Sequence, residues 1–292
     1  MFVQKNTGKD IKAYFLTQLN TLYSSTEINI LLKQLVCHRM QWEHGVFLSN
    51  FAVSSFSESD LLYFNKSIKR LLDKEPIQYI VGETYFYNLP IKCVQNVLIP
   101  RPETEELVQW IVDSSNFSEK LIIHDLCTGS GCIGLALKKQ NNKHVVFLSD
   151  VSEFAVKLSN ENEKLNNLDV SILNIDITDK EAFNSFTINS FDIWVSNPPY
   201  IPYLEKKNVD DNVLKHEPEL ALFVGNEDPL VFYKKIAEQG LLYLKRDGYL
   251  FFEINPNYLD DLVFYLEKNG YKNVQLNKDI HQKNRMIKAQ KL

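Results

Sequence analysis

Beyond Pro100 the chain alternates between short apolar runs and segments of helical spacing, and this alternation restricts the fold more than any other feature. Residues 121–126 read as a strand, followed by a glycine-rich turn and a helix from Gly131. A strand at 145–148 precedes a helix over 152–166, strands follow at 170–175 and 191–195, and a helix spans 230–244. A strand at 249–254, a helix over 258–269 and two short strands near Val274 and Ile287 finish the chain. Such alternation predicts an α/β fold, a doubly wound and mostly parallel sheet. Ligands of these sheets bind outside the carboxyl ends of the strands, so the residues that end each strand carry the functional information.

The first strand runs into Asp125-Leu126-Cys127-Thr128-Gly129-Ser130-Gly131-Cys132-Ile133-Gly134. Small residues let the backbone turn sharply and approach a ligand, while the following helix presents free N–H groups. Residues 129–134 also spell G-x-G-x-x-G, the dinucleotide fingerprint, a weak match when alone. The second strand leads to Asp150, where a carboxylate can accept from both hydroxyls of a ribose. After the third strand, Asp176 could accept from an adenine amino group with Ile177 packed on the ring. A helix cap for Asp150 and a plain turn for Asp176 are the structural alternatives.

The fourth strand ends in Asn197-Pro198-Pro199-Tyr200. Asn197 offers a side-chain carbonyl, and Pro198 a backbone carbonyl with no competing N–H. Pro199 pushes Pro198 toward an extended conformation, and Tyr200 can lay its ring against a planar group. Together they form a socket for both hydrogens of an –NH2 group, the alternative being a proline-rich turn. An adenosine held by the glycine loop and Asp150 belongs to NAD(P) or to S-adenosylmethionine. A dehydrogenase needs an acid/base near its hydride site, often His or Lys, yet no histidine follows the tetrapeptide before His216. A methyltransferase needs a clamp for the acceptor beside a sulfonium, and the tetrapeptide is a clamp. S-adenosylmethionine is therefore the predicted cofactor, with a nucleic-acid base and an amide both open as acceptors.

Composition narrows the partners. A net charge of −5 with no Lys/Arg stripe argues against direct nucleic-acid binding. Four cysteines without C-x-x-C pairing and six histidines without metal-ligand spacing predict reduced thiols and no metal site. No apolar leader or run of 18 apolar residues stands out, so a cytoplasmic protein with no membrane contact is expected.

At 292 residues there is room for two domains. Residues 1–75 read as a helical bundle, with Thr7 capping a helix through Ile11, Phe15 and Leu19, a second helix over residues 27–40, and Ser57 with Asp60 as a capping box opening a third. Residues 76–100 are rich in β-formers broken by Gly82, Asn88-Leu89-Pro90 and Gln95-Asn96, and predict a β-hairpin linker. Residues 101–292 then make up the sheet domain. Arg101 and Glu103, at the exit of the hairpin, are candidates to close the acceptor pocket, or else a surface salt bridge.

Two further segments carry a resemblance. Glu75-Pro76-Ile77-Gln78-Tyr79-Ile80-Val81-Gly82 and Leu98-Ile99-Pro100-Arg101-Pro102-Glu103-Thr104-Glu105, with the N-P-P-Y tetrapeptide, Glu217-Pro218 and Ala221-Leu222, resemble the release-factor glutamine methyltransferases, the PrmC/HemK family. Cys127 and Asn255 stand where many members have glycine. The resemblance covers nearly the whole chain. It implies a class I S-adenosylmethionine-dependent methyltransferase, Rossmann-like with a mostly parallel seven-stranded sheet, behind a substrate-recognising helical domain. It also implies a monomeric enzyme that methylates the side-chain amide nitrogen (N5) of the Gly-Gly-Gln glutamine in class I peptide chain release factors. By resemblance, Cys127, Thr128, Gly129, Ser130, Gly131, Asp150, Asp176, Ile177 and Asn197 would hold the cofactor. Asn197, Pro198, Pro199, Tyr200 and Arg101 would hold the glutamine, with Asn197, Pro198 and Tyr200 as the catalytic set.

Overall fold

The computed structural model describes residues 6–114, 117–179 and 181–292. Two compact units divide the chain, Met1–Gly82 and Glu83–Leu292. No helix among the described residues is long and apolar enough to cross a membrane.

The first unit is helical: α1 (Gly8–Leu19), α2 (Ser25–Met40), α3 (His44–Asn50), α4 (Glu58–Leu72) and α5 (Ile77–Val81). The starts of α1, α2 and α4 are set by side chains that accept from otherwise unpaired amides. Thr7 accepts from Asp10 N, and Ser24 with Glu27 and Ser57 with Asp60 form reciprocal capping boxes. Aspartate thus does the work of the usual glutamate at Asp60. Ile11, Phe15, Leu32, Val36, Phe64 and Ile68 meet in one core. Helix α3 was not expected from the sequence, because none of its seven residues is buried and no apolar stripe marks it.

Helix α5 corrects the expectation of β structure directly after Glu75. Pro76 supplies a helix-compatible φ of −55° at the start, and Gly82 ends the turn in the left-handed region at φ 88°. Arg70 donates to both Glu75 carboxylate oxygens at 2.6 Å and to the Tyr79 carbonyl at 3.0 Å. Those bonds tie α4 to α5, and five residues are too few to show a helical period.

The second unit opens with a hairpin, β1 (Glu83–Phe86) and β2 (Leu89–Lys92). Tyr87 and Asn88 both take positive φ, 48° and 62°, as a two-residue hairpin turn requires. Then come α6 (Pro102–Ser114), β3 (Ile122–Leu126), α7 (Cys132–Gln140), β4 (Val145–Asp150), α8 (Glu153–Asn166), β5 (Ser171–Asn174) and β6 (Phe191–Ser196). After β6 the chain forms β7 (Ile201–Pro202), α9 (Asp211–His216), α10 (Glu219–Leu222), β8 (Phe223–Val224), α11 (Val231–Tyr243), β9 (Leu244–Glu253), α12 (Leu259–Lys268), β10 (Tyr271–Lys278) and β11 (Asn284–Lys291). The hairpin is pinned to α8, whose Asn162 accepts from Lys92 N at 2.8 Å. Residues 97–99, β-formers all, make no strand and instead run as an irregular strap into α6.

Seven strands pair in the order β10-β11-β9-β6-β3-β4-β5. The neighbours from β9 to β5 are parallel, and β11 and β10 run antiparallel at one edge. This is the mostly parallel seven-stranded sheet that the sequence predicted, with the strand order reversing between β3 and β6. One core, with Trp194, Tyr233, Phe252 and Tyr271, lies on one side, and a second, with Leu107, Ile133, Leu148 and Phe251, on the other.

Helix α7 packs so closely on the sheet that Gly134 has no room for a side chain. A Cβ there would lie 2.0 Å from Leu148 Cδ2 and 3.2 Å from Asp125 Cβ. Alanine would gain up to about 1 kcal/mol in helix propensity, against roughly 1–3 kcal/mol of overpacking in a filled core. Overpacking wins, so Gly134→Ala should lower the urea midpoint; an unchanged or raised midpoint would contradict the close packing.

Candidate active site

The loop that leaves β3 is held from two sides. Thr128 N donates to Ser149 O of β4 at 3.0 Å, and the Thr128 hydroxyl donates to Asp125 Oδ2 at 2.5 Å. From α8, the Ser159 hydroxyl donates to Gly129 O and Asn162 Nδ2 to Ser130 O, both at 2.9 Å. Cys127, Gly129 and Gly131 all take positive φ, 57°, 57° and 83°. Cysteine adopts that region at a cost of roughly 1–2 kcal/mol. A side chain at Gly131 is disfavoured, since a Cβ would come within 3.2 Å of Leu135 Cδ1 and Ser159 Oγ at a φ that L residues rarely adopt. Gly131 therefore shapes the loop from behind and does not line the cavity in front of it.

That cavity opens at the carboxyl edge of the sheet. Its wall includes Cys127, Thr128, Gly129 and Ser130 after β3, Asp150 at the end of β4, Asp176 and Ile177 after β5, and Asn197 and Pro199 after β6. Asp150 Oδ2 accepts from Gly129 N and Oδ1 from Ser152 N, each at 2.9 Å. One carboxylate thus joins the glycine loop to the start of α8, while burial pushes its pKa up. Asp176 is exposed and does fold a turn, its Oδ1 accepting from Thr178 N at 2.8 Å, yet it also faces the cavity beside buried Ile177. The Cys127 thiol stays protonated: burial raises its pKa, and Asp150 raises it further.

The opposite wall comes from the strap at 97–101 and from Pro218, Leu220 and Ala221 near α10. Arg101 and Glu217 bind these two segments together at 2.5 Å, and Glu217 also accepts from Ile99 N at 3.3 Å. The Glu217 side chain is 1% exposed and that of Arg101 34%, so the pair is half-buried rather than a surface salt bridge. Glu103 lies outside the cavity wall, 4.0 Å from His281 Nε2.

Within the tetrapeptide, Asn197 and Pro199 line the cavity, whereas Pro198 is buried and Tyr200 is turned away from it. The Tyr200 hydroxyl donates to Glu253 Oε1 at 3.2 Å. Asn197 Nδ2 donates to Thr104 Oγ1 at 3.4 Å, and that hydroxyl donates to Glu253 Oε2 at 2.6 Å. Asn255 Nδ2 holds the Tyr200 carbonyl at 3.2 Å.

Known proteins share much of this sequence. Residues 104–255 match the family profile described as the methyltransferase small domain. A release factor glutamine methyltransferase from Flavobacterium psychrophilum is 45% identical over 232 residues, 78% of this chain and 80% of that protein. Another, from Bacteroides thetaiotaomicron, is 37% identical over 282 residues, 96% of this chain and 98% of that protein. This chain belongs to the release factor glutamine methyltransferase family. It is accordingly a methyltransferase. A methyltransferase from Pyrococcus furiosus, 16% identical, shares the fold with a TM-score of 0.52 over 79% of this chain and 95% of that one.

In this methyltransferase several residues around the cavity were given no role by the sequence reading, Thr104 and Glu217 entering it only within the segments of resemblance. Thr104, Glu217 and Glu253 are distant in sequence from the residues they hold, and Ser159 and Asn162 sit mid-helix with no local signal. Helix α6 was also missed, although Pro at its start, acids in its first turn and the buried Leu107, Val108 and Ile111 were available as signals.

Asp125 gives this site a pH signature. It is fully buried, Oδ1 has no partner, and burial pushes its pKa up to about 7, with Asp150 adding and Thr128 and Gly134 opposing. In the unfolded chain the carboxyl ionises near pH ~4. Across the window from there to about 7 the folded state holds a proton that the unfolded state releases, so stability falls as pH rises. Asp125→Asn keeps an oxygen for Thr128 and Gly134 and removes the titration. The wild-type Tm should therefore drop relative to the variant's between those pH values; parallel Tm curves would refute it.

Proposed function

We propose that the enzyme methylates the side-chain amide nitrogen (N5) of the glutamine in the Gly-Gly-Gln motif of class I peptide chain release factors, with S-adenosylmethionine as methyl donor. The observation that carries this reading is the position of Asn197, a side-chain amide on the wall of the same cavity as the glycine loop and Asp150. Relatives named release factor glutamine methyltransferase, 37–45% identical, support the choice of a protein amide over a base.

The cavity suits the cofactor. A Cβ on Gly129 would meet only Val97 Cγ1, at 3.8 Å, so the loop leaves open space where a ligand would approach its backbone. Thr128, Gly129 and Ser130, with Cys127, would hold its backbone-facing side, Asp150 its ribose, and Asp176 and Ile177 its adenine. Gly131 would support the loop, and Asn197 would stand between cofactor and acceptor. When bound, S-adenosylmethionine supplies an electrophilic methyl group.

An amide nitrogen is a weak nucleophile because its lone pair is delocalised into the carbonyl. Asn197 Oδ1 and the Pro198 carbonyl each accept one of its hydrogens, which leaves the lone pair facing the donor. As the carbon–nitrogen bond forms, positive charge grows on nitrogen, and these two fixed acceptors stabilise it. One N–H proton then leaves for water, so no strong base is required. Pro199 completes the glutamine socket, Tyr200 anchors the tetrapeptide from behind through Glu253, and Arg101, held on Glu217, closes it. The helical unit recognises the release factor, and the enzyme works as a monomer in the cytoplasm, where release factors act.

Radiolabel from S-adenosylmethionine should pass to purified release factor and fail to pass when the Gly-Gly-Gln glutamine is replaced; equal labelling of that control, or labelling of RNA instead, would overturn the assignment. Asn197→Ala should lower kcat by roughly 100- to 1,000-fold, the range for loss of one preorganised group. Cofactor affinity by calorimetry should weaken only in part. Wild-type turnover in this variant would sink the clamp mechanism.

A further inference from the structure

The Asn197 side chain has two ends of similar shape and opposite hydrogen-bonding sense. With Oδ1 toward the acceptor it receives an –NH2 hydrogen; with Nδ2 there, it would oppose donor to donor. A clamp for an amide therefore needs something that fixes which end faces the cavity.

We propose that Thr104 and Glu253 are positioning residues that set the orientation of the Asn197 side-chain amide, a proposal that rests on the clamp reading above. Thr104 has one hydroxyl proton, and at 2.6 Å it goes to Glu253 Oε2. The hydroxyl oxygen can then only accept, and the group beside it is Asn197 Nδ2 at 3.4 Å. Polarity runs one way, from Asn197 to Thr104 to Glu253, and leaves Asn197 Oδ1 for the acceptor. The Tyr200 hydroxyl occupies Glu253 Oε1, so both oxygens of one carboxylate receive donors and both donors serve the tetrapeptide.

The fold places these residues together. β6 and β9 pair in parallel with Ser196 opposite Phe252, so Asn197 and Glu253 are the next residue on each strand. Thr104 sits in the first turn of α6 and is 3% exposed; Glu253 is 2% exposed. Burial raises the Glu253 pKa, while Thr104, Arg285 and Tyr200 pull it back toward the ionised form that can accept from both donors.

The test uses the full chain with intact release factor and four variants: Thr104→Val, Thr104→Ser, Glu253→Gln and the Thr104→Val/Glu253→Gln double. Thr104→Val should lower kcat roughly 10- to 100-fold, the scale of a small misplacement in the site, with the Kd for S-adenosylmethionine unchanged. Thr104→Ser should restore most of the rate, because it returns the hydroxyl alone. Glu253→Gln offers one oxygen to two donors and should match Thr104→Val. The double variant should be no slower than the slower single, as expected of groups acting through one chain. Wild-type kcat in Thr104→Val, failure of Thr104→Ser to rescue, or losses that multiply in the double would each overturn the proposal. Should Thr104→Val not fold, Thr104→Ala against Thr104→Ser makes the same comparison. An inactive wild type would instead remove the clamp reading itself, which separates the two failures.

Discussion

Strand β3 divides the sheet, with β4 and β5 on one side and β6 and β9 on the other. Chains leaving the carboxyl ends of β3 and β6 must therefore turn to opposite sides, and a crevice opens between them. The strand-end residues of the candidate site depend on this reversal. The glycine loop leaves β3, the tetrapeptide leaves β6, and Asp150 and Asp176 follow the next two strands outward. The two halves of the proposed chemistry, donor and acceptor, thus sit on opposite lips of one crevice.

Carboxylates that are buried or partly buried then fix the geometry of both lips. Asp150 fastens the glycine loop to α8, Glu217 fastens the strap to the segment near α10, and Glu253 fastens α6 and the tetrapeptide to β9. Each buried acid is costly unless donors surround it, and each of these three has at least two. Asp125 has two donors on Oδ2 and none on Oδ1, and burial pushes its pKa up to about 7. In a poorly solvated wall, negative charge acts over longer range than in water, which would favour a cation such as the proposed sulfonium.

Legibility in the sequence followed the distance over which each signal acts. The buried strands, the glycine turn and the capping residues Thr7 and Ser57 work through neighbours within a few positions. Most of their elements stand close to where the periodicity puts them. Helix α5 misled because Tyr79 and Ile80 have β propensity, while the deciding groups were Pro76, Gly82 and the Arg70–Glu75 pair. The strap over 97–99 misled for the same reason, since its apolar residues face a cavity rather than a partner strand. Asn197 announced itself; Thr104 and Glu253 did not, being 93 and 53 or more residues from the groups they hold.

That separation has a consequence for how the site is specified. The side-chain period of a strand is two, so a one-residue slip of β9 against β6 would turn Glu253 to the opposite face of the sheet. Thr104 and Tyr200 would both lose their acceptor, and Asn197 would lose the group that decides which of its ends faces the cavity. Register between β6 and β9 is held by Trp194, Phe252 and Leu250 on one side and by Val195 and Phe251 on the other. Packing far from the cavity thereby sets a hydrogen-bond direction inside it, and the chemistry of the clamp inherits its precision from the hydrophobic faces of two strands.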